Sequence, residues 1–396
     1  MRRNADSANL RIFCPDELVS NRLDAVFDVT ARCTMQSIHS DDAHLSPDGR
    51  VLEVLSEHCC EGWLEGYVLT GRHGLFACYE AFAPIVDSMV NQHVKWLKAA
   101  SEVPWRRPLP ALNILLTSHT WRQDHNGYSH QGPGFIDNVL NRKHRHMRVY
   151  LAPDGNCLLA VAQHAFASSD RVNLIIAGKQ PMPQWLALDD AIRHCANGAG
   201  RWNWAEVGGA DNPAVDLACA GDVPTLETLA AADLLRRFVP DLPFRVINVV
   251  NLLALAHPLD HPDGLPQADF NSLFTADRPV LFAFHGYPHV IDGLVDGREQ
   301  AARFHSEGYR EEGTTTTPFD MVVLNRISRY HLAERTLDLA QRDDAAAAAL
   351  RAHCHEQLAD HALYIRTRFE DLPEVRDWRW PDTRSPGAHR TTETSR

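Results

Sequence analysis

Six short apolar runs constrain the fold of this chain more than any other feature of its sequence. A stretch with the character of a helix follows each of them, and the runs are LNILLTS (112–118), MRVYLA (147–152), VNLIIAG (172–178), VDLACAG (215–221), FRVINVVNLL (244–253) and PVLFAFHG (279–286). Their apolarity is continuous rather than alternating, which is typical of strands that are buried on both faces of a parallel sheet. Because such strands alternate with helices, the sequence predicts an α/β architecture.

A break in this pattern divides the chain into two predicted domains. The segment ANGAGRWNWAEVGGADNP (196–213) is rich in Gly, Asn and Pro, and a predicted strand begins directly after it. We therefore expect one domain over residues 1–200 and a second over residues 201–380. Within the second, DVPTLETLAAADLLRRF (222–238) predicts a helix. The polar, Pro-containing tail at 381–396 is predicted to be disordered.

Composition and charge argue against several classes of protein. The 396 residues are 44% apolar and 23% charged, as in an ordinary globular protein. The net charge of −12 argues against broad nucleic-acid binding, and the densest basic cluster, NRKHRHMRVY (141–150), is predicted to be a solvated face. The most apolar run, VINVVNLLALA (246–256), is too short to cross a bilayer. We expect neither a nucleic-acid nor a membrane partner.

The cysteines indicate a reducing compartment. All nine are scattered along the chain, with one adjacent pair, Cys59 and Cys60, and no CxxC spacing. This distribution is typical of reduced thiols rather than of a disulfide framework or a zinc site. The sequence therefore predicts a cytoplasmic protein.

The loop after the first of the six runs is unusually polar. Ligands of α/β sheets collect at the carboxyl ends of the strands. In TSHTWRQDHNGYSHQGPG (117–134), eight positions contain the proton carriers and amides Gln123, Asp124, His125, Asn126, Ser129 and His130. Such a loop suits the binding of a polyhydroxylated, charged substrate. The alternative is an ordinary polar surface loop, and no ligand spacing typical of a metal site is present.

Two further segments are less specific. Lys179 follows the predicted strand in IIAGKQP (175–181), where it could bind a phosphate or simply be a surface lysine. The threonines of GYREEGTTTTPFDM (308–321) could bind an anion, although an ordered loop between domains is favoured. The patterns GxGxxG, GxxxxGK[ST], GxSxG and HExxH do not occur in the sequence.

One carboxylate lies in an unexpected setting. VLEVLSEHCCEGWLEGY (51–67) is typical of a buried apolar helix, yet it contains Glu57 beside His58 and two cysteines. Burial of an ionised carboxylate is costly, so a buried Glu57 would need a raised pKa and a function. From these residues alone, a position on the helix surface is favoured.

Ten longer motifs together resemble phosphoketolase, a thiamine-diphosphate enzyme related to transketolase. They are PDELVSNRL, HLSPDGRVLEVLSEH, EGWLEGYVLTGRHGLFACYEAF, DSMVNQHVKWL, WRQDHNGYSHQ, IIAGKQPMPQWL, CAGDVPTLETLAA, RVINVVNLL, LFAFHGYP and EEGTTTTPFDMVVLN. They follow the order of the family from about residue 11 to about residue 380, and they match the second half of its polypeptide. The resemblance implies a doubly wound parallel sheet that binds the cofactor's pyrimidine ring, followed by a mixed-sheet α/β domain.

The resemblance gives Glu57 a catalytic role. In LSEH, Glu57 matches the buried glutamate that shares a proton with a nitrogen of the aminopyrimidine ring, for which an apolar pocket and a raised pKa are suited. Tyr79, in FACYEAF, resembles the aromatic residue that stacks on this ring. Glu80 is the rival acid, but it matches a position that the family does not use in catalysis.

The remaining site residues are also implied by the resemblance. Those expected to hold the substrate phosphate are Ser20, Arg22, His125 and Lys179, and those expected around the sugar are Gln123, Asn126 and His130. The implied reaction is an aldehyde-lyase reaction. It cleaves xylulose 5-phosphate or fructose 6-phosphate with inorganic phosphate, giving acetyl phosphate and an aldose phosphate.

The sequence departs from the family in one important respect. The family binds the cofactor diphosphate through Mg²⁺ with a GDG motif followed by Asn, and this sequence contains no GDG. Smaller departures are Cys14, where Gly is common, and Tyr128, where Phe is usual. We therefore expect the Mg²⁺ ligands on a separate diphosphate-binding domain and no metal ligands in this chain.

Three functional hypotheses follow. The chain is expected to be one subunit of a split phosphoketolase, inactive alone and homodimeric through its pyrimidine domain. Alternatively, it is a truncated and catalytically silent phosphoketolase, or a binding subunit that pairs with a full-length relative. The retained polar set from Ser20 to Lys179 favours the first hypothesis.

Overall fold

The computed structural model describes residues 1–16, 18–142, 144–208 and 212–381. The first of its two sheets has eight strands, which are β1 Leu10–Cys14, β2 Arg32–Cys33, β3 Leu45–Ser46, β4 Val51–Glu53, β5 His73–Tyr79, β6 Leu112–Ser118, β7 Met147–Leu151 and β8 Val172–Ile176. Their order across the sheet is β3-β2-β4-β1-β5-β6-β8-β7, and every neighbouring pair is parallel. This is the predicted parallel sheet.

The second sheet is mixed. Its strands are β9 Ala199–Arg201, β10 Val215–Ala220, β11 Phe244–Val249, β12 Val280–Phe284 and β13 Phe304–Glu307. The order is β13-β12-β10-β11-β9, with β9 antiparallel to β11 and the other pairs parallel. The predicted fold class, a parallel sheet followed by a mixed-sheet α/β region, is confirmed.

Helices connect the strands. They are α1 Glu57–Leu69, α2 Asp87–Ser101, α3 Phe135–Leu140, α4 Gly155–Ala167, α5 Leu188–Asn197, α6 Asp222–Phe238, α7 Gln267–Leu273, α8 His289–Val295, α9 Pro318–Leu324, α10 Arg329–Leu339, α11 Ala345–Arg368 and α12 Pro373–Arg376. Short 3₁₀ turns, such as Glu80–Val86, Thr120–Arg122 and Tyr128–His130, occur in the loops. Among the described residues, none of these helices has the length and apolarity needed to cross a bilayer.

The six predicted strands are all present as β6, β7, β8, β10, β11 and β12, and the helix predicted at 222–238 is α6. Every residue of the six strands is buried, as expected for strands covered on both faces. The run at 244–253 forms a strand only as far as Val249. Asn251 stops it, because its side chain accepts a hydrogen bond from the amide of Leu253 and begins a 3₁₀ turn.

The prediction of one helix over 51–67 is wrong. Val51–Glu53 is the strand β4, and α1 begins only at Glu57. Ser56 is the N-cap of α1, and its hydroxyl accepts a hydrogen bond of 3.3 Å from the amide of Cys59. Glu57 therefore lies in the first helical turn, where the helix dipole favours a carboxylate.

Two other predictions concern irregular segments. The segment 196–213, predicted as a break between domains, contributes the short edge strand β9 to the second sheet, and residues 209–211 lie outside the described part. The predicted disordered tail also lies outside the described residues, except for Pro381.

The hydrophobic cores of the two sheets are continuous. One cluster of buried side chains contains Phe76 of the first sheet and Phe282 of the second. A backbone hydrogen bond of 2.8 Å from Leu151 to the carbonyl of Val250 also joins residues at the ends of β7 and β11. The two sheets are therefore packed closely together.

The basic cluster at 141–150 is not simply a solvated face, in contrast to the prediction. Arg145 is exposed, but Arg148 is buried. Its Nη1 lies 3.0 Å from Nε2 of His261, and its Nε forms an ion pair with Asp263. Because an unpaired buried charge is costly, these residues after β11 are needed to accommodate the arginine.

A buried carboxyl on α1 makes stability depend on pH. Glu61 is fully buried, and burial, together with the charge of Glu65, raises the pKa of Glu61 to about 9. Its pKa in the unfolded chain is near the ordinary value of about 4.3, so between these values the folded state binds more protons. The free energy of unfolding should therefore fall as pH rises from about 6 to about 8.5, by up to ~1 kcal/mol per pH unit.

Urea unfolding at a series of pH values checks this expectation. Glu61→Gln should flatten the dependence and should be more stable than the native chain at the upper end of the range. Glu102→Gln, at an exposed position beyond α2, is the control and should keep the native slope. An unchanged slope in Glu61→Gln would show that Glu61 is not the responsible group.

Candidate active site

The predicted functional residues follow five adjacent strands of the first sheet, β4, β1, β5, β6 and β8. Because these strands are parallel, their carboxyl ends lie along one edge. In the order of the strands, the residues are Glu57, then Ser20 and Arg22, then Tyr79, then Gln123, His125, Asn126 and His130, and finally Lys179. The segments that carry all nine residues therefore begin along one edge of the sheet.

Lys179, Tyr79 and His130 lie next to one another at this edge. The ammonium nitrogen of Lys179 donates to the Tyr79 hydroxyl at 3.3 Å and lies 4.4 Å from the centroid of the Tyr79 ring. The His130 ring lies 6.3 Å from the Tyr79 ring and 5.2 Å from the Phe82 ring. All four side chains are half-buried. An aromatic surface, a cation and an imidazole are thus brought together from three loops.

Gln123 is the most enclosed of the predicted residues. It is fully buried, and its Oε1 accepts a hydrogen bond of 2.6 Å from Nδ2 of the exposed Asn126. Its Nε2 has no hydrogen-bond partner within the described residues. The neighbouring Gln131 donates to the carbonyl of Gln123 at 3.1 Å and to that of Thr314 at 3.0 Å. The loop is therefore anchored, and one amide donor in it is still available.

The threonine-rich segment forms an ordered loop against this site. The amide of Thr316 donates to the carbonyl of Asp124 at 3.2 Å, and the Thr317 hydroxyl caps α9 by accepting from the amide of Asp320. These contacts agree with the favoured prediction of an ordered loop between domains.

Ser20 and Arg22 lie on a loop that is held against the end of β6. Arg22 is exposed and has a positive φ of 58°. Asn21, between them, is buried, and its Oδ1 accepts a hydrogen bond of 2.5 Å from the Thr117 hydroxyl. Asn21 was not predicted as a site residue, because only Ser20 and Arg22 match phosphate-binding positions of the family.

Glu57 is half-buried rather than enclosed in this chain. Within the described part, no group donates a hydrogen bond to its carboxylate. The pKa of the Cys78 thiol is raised mainly by burial, then by Cys14, and then by the charge of Glu57. Cys78 directly precedes Tyr79. Apolar surface is exposed beside it, since Leu55 is 86% accessible to solvent. The carboxylate is therefore open to a further group.

A buried polar cluster beneath this edge was not predicted. Glu80, the rival acid, accepts hydrogen bonds at 2.9 Å and 3.1 Å from Nε2 of His285. Beside this pair, Nε2 of His119 lies 2.9 Å from Oδ2 of Asp222. All four side chains are buried. Each lies within two residues of the end of a strand, and this common position was the available sequence signal.

Within this cluster, the histidines and carboxyl groups shift one another's pKa values against the effect of burial. Burial acts to raise the pKa of the Glu80 carboxyl, but His285 and the amide of Thr120 lower it below the ordinary value. Asp222 behaves in the same way, and His119 lowers its pKa to about 2 against the effect of burial. Burial acts to lower the pKa of His119, but Asp222 raises it. His119 and Asp222 are therefore best described as an ion pair, and Glu80 and His285 as a hydrogen-bonded histidine–carboxylate pair.

Three members of this cluster have the spacing of a metal site. Ligand atoms of His119, Asp222 and His285 lie within 4.8 Å of one another. However, Nε2 of His119 is hydrogen-bonded to Asp222, and Nε2 of His285 is hydrogen-bonded to Glu80. The Nε2 atoms are thus already paired with carboxylates, whereas the buried Nδ1 atoms of both histidines have no hydrogen-bond partner within the described residues.

The fold is that of transketolases. A transketolase from Pichia stipitis in complex with sedoheptulose 7-phosphate superposes with a TM-score of 0.62 at 14% identity, covering 84% of this chain and 43% of that one. The transketolase from Leishmania mexicana gives 0.60 at 15% identity, with 86% and 44% covered. A split gene transketolase, solved as an inactive beta4 tetramer, gives 0.54 at 13% identity, with 86% and 97% covered.

The sequence comparisons give the family. The family model of D-xylulose 5-phosphate/D-fructose 6-phosphate phosphoketolase matches residues 1–168, and that of the XFP C-terminal domain matches 179–380. The probable phosphoketolase of Nitrosospira multiformis is 56% identical over 388 residues, covering 98% of this chain and 48% of that protein. That of Rhodopseudomonas palustris (strain TIE-1) is 58% identical over 384 residues, covering 96% and 48%. The chain belongs to the phosphoketolase family, and it spans about half the length of the curated relatives it matches.

The packing of the two loops predicts a strict requirement for glycine at position 127. Gly127 has a φ of 73°, and a Cβ there would lie 2.6 Å from the Thr315 hydroxyl. Gly127→Ala should therefore destabilise the chain by about 2 kcal/mol, which urea unfolding measures. Gly132→Ala in the same loop is the control, because a Cβ at that position meets no atom within 4 Å. Equal effects of the two substitutions would contradict the proposed loop packing.

Proposed function

We propose that this chain supplies the pyrimidine side of a phosphoketolase active site. The reaction would cleave xylulose 5-phosphate or fructose 6-phosphate with inorganic phosphate, giving acetyl phosphate and an aldose phosphate. The observation that supports it best is that residues after five adjacent strands lie along one sheet edge, with Lys179 against Tyr79. The family match adds the substrate class, because its name specifies these two ketose phosphates.

The residues present fit thiamine diphosphate. An aminopyrimidine ring needs an aromatic surface and a carboxyl group, and this edge offers the half-buried Tyr79 ring and the carboxylate of Glu57, which no described residue engages. When bound, the cofactor supplies the carbanion chemistry that carbon–carbon cleavage requires. In this proposal, Tyr79 positions the ring, and Glu57 holds a proton at a ring nitrogen.

Cations at this edge would bind the substrate phosphate. The net charge of −12 repels anions at long range, so a local positive site is needed. Arg22 offers a bidentate fork, Lys179 a compact charge, and His125 and Ser20 further donors. The exposed positions of Arg22 and His125 leave both side chains accessible to a ligand.

Amides and an imidazole would contact the sugar. The buried Nε2 of Gln123 has no described partner, and a substrate hydroxyl would satisfy it. Asn126 adds a second amide, hydrogen-bonded to Gln123. His130 can exchange a proton with a substrate hydroxyl, as general acid–base catalysis requires.

We infer that the Mg²⁺ and diphosphate side of the site comes from a domain outside the printed sequence. The sequence contains no GDG motif. A split gene transketolase of the same fold, solved as an inactive tetramer, matches this chain over 97% of its own length. The exposed Leu55 and Trp63, on either side of Glu57, are suited to contact with a partner or with a second copy of this chain.

Complementation tests this proposal. The purified chain should form no acetyl phosphate from xylulose 5-phosphate, inorganic phosphate, thiamine diphosphate and Mg²⁺. Addition of the first half of the Nitrosospira multiformis relative should restore its formation, together with a gain in mass by light scattering. Turnover by the chain alone would refute the need for a partner. A complex without turnover would instead favour the silent or binding-subunit alternatives.

In the complemented enzyme, Glu57→Gln should lower kcat by about 10²–10⁴-fold, because an amide cannot exchange the proton that the ring nitrogen needs. Its melting temperature should be nearly native, since Glu57 is half-exposed and no described residue donates a hydrogen bond to its carboxylate. Glu80→Gln is the comparison: it should retain more activity but melt at a lower temperature, because it weakens a buried pair. A larger loss of kcat in Glu80→Gln than in Glu57→Gln would show that the proposed position of the cofactor, with its ring against Glu57, is wrong.

A further inference from the structure

The buried cluster of Glu80, His119, Asp222 and His285 joins the carboxyl ends of four strands. Glu80 follows β5 and His119 follows β6, in the first sheet. Asp222 follows β10 and His285 follows β12, in the second sheet. Each of the two histidine–carboxylate pairs, Glu80–His285 and His119–Asp222, connects one sheet to the other.

The two pairs are crossed: the carboxylate belongs to the first sheet in one pair and to the second sheet in the other. Their histidine rings are in contact. Each sheet contributes one carboxylate and one histidine, and each carboxylate is hydrogen-bonded to the histidine of the other sheet. The rings of His119 and His285 lie 5.0 Å apart at 89° to each other. All four side chains are at least 94% buried, so solvent cannot replace a lost partner.

Backbone groups fix the cluster from both sides. The amide of Thr120 donates to Glu80 at 2.8 Å, and the Trp121 indole donates to the carbonyl of His285 at 2.9 Å. Gly178 allows Asp222 to approach, because a Cβ at Gly178 would lie 2.4 Å from Oδ2 of that carboxylate. The cluster therefore contacts the backbone of the loops after β6 and β8, and Glu80 itself begins the loop after β5.

These loops are the ones that carry the candidate site. Tyr79 immediately precedes Glu80, and Lys179 immediately follows Gly178. The loop containing Gln123 begins at His119 and Thr120. The cluster thus lies beneath the contact between Tyr79 and Lys179.

We propose that Glu80, His119, Asp222 and His285 are positioning residues, which form two crossed histidine–carboxylate pairs that fix the loops bearing Tyr79 and Lys179. The functional importance of that contact rests on the proposed function. The role of the pairs in holding the two loops in place is independent of that function. If a pair is broken, the loops after β5 and β8 lose their common support, and the ammonium group of Lys179 separates from the Tyr79 ring.

Chemical labelling of Lys179 tests this directly. The sequence contains only four lysines, of which Lys95 and Lys98 are exposed on α2 and serve as internal references. The full chain is acetylated with a trace of acetic anhydride, and peptide mass spectrometry gives the rate at Lys179 relative to the references. In the native chain, Lys179 should react slowly, because it is half-buried and in contact with Tyr79.

Glu80→Gln and His119→Gln should each raise the relative rate at Lys179 several-fold. His261→Gln is the matched control, since His261 is another buried histidine that binds a residue of the first sheet, Arg148 on β7. It should lower the melting temperature without changing the relative rate at Lys179. The double variant Glu80→Gln/His285→Gln, which leaves no charge of that pair unmatched, should react more slowly than His285→Gln alone.

Three results would overturn the proposal. The first is a native relative rate in folded Glu80→Gln and His119→Gln. The second is an equal increase in His261→Gln, which would show general loosening. The third is one tightly bound metal ion per purified chain at His119, Asp222 and His285, which would replace the direct pairs. Because the labelling needs neither cofactor nor substrate, its outcome is separate from that of the complementation assay.

Discussion

The structure depends on the parallel arrangement of its strands. Parallel strands need long crossover connections, which cover both faces of each sheet and make every strand a continuous apolar run. They also place all carboxyl ends on one edge, so polar loops from distant parts of the sequence are brought together there. In this chain two buried histidine–carboxylate pairs join the carboxyl ends of β5 and β6 to those of β10 and β12.

Much of the fold could be predicted because burial on both faces leaves a clear pattern. The strands at 112–118 and 215–220 and the helix at 222–238 follow their apolar runs closely. The prediction for 51–67 failed because a short strand and a helix both contribute apolar residues, and only the capping by Ser56 separates them. The three-residue strand β9 has no apolar pattern, since it is an edge strand containing Gly200.

The site could be predicted to a smaller extent. The polar loop at 117–134 was identified from its residues, while the roles of Glu57 and Tyr79 came from the resemblance to phosphoketolase. The cluster beneath the site could not be predicted from either source. Its pairs are 205 and 103 residues apart in sequence, and a lone histidine after a strand gives no indication of its partner. From the sequence, Glu80 is distinguished only by its position next to Tyr79, which makes it a rival acid for the pyrimidine ring.

The crossed pairs also limit how this chain can change over evolutionary time. Each sheet holds one acid and one base, and the complementary group lies on the other sheet. Suppose that the region containing β10 and β12 is exchanged between two relatives. The incoming region must then have an acid after β10 and a base after β12. The two halves of the chain are therefore not independent modules. Recombination across this boundary is restricted to relatives in which all four positions correspond.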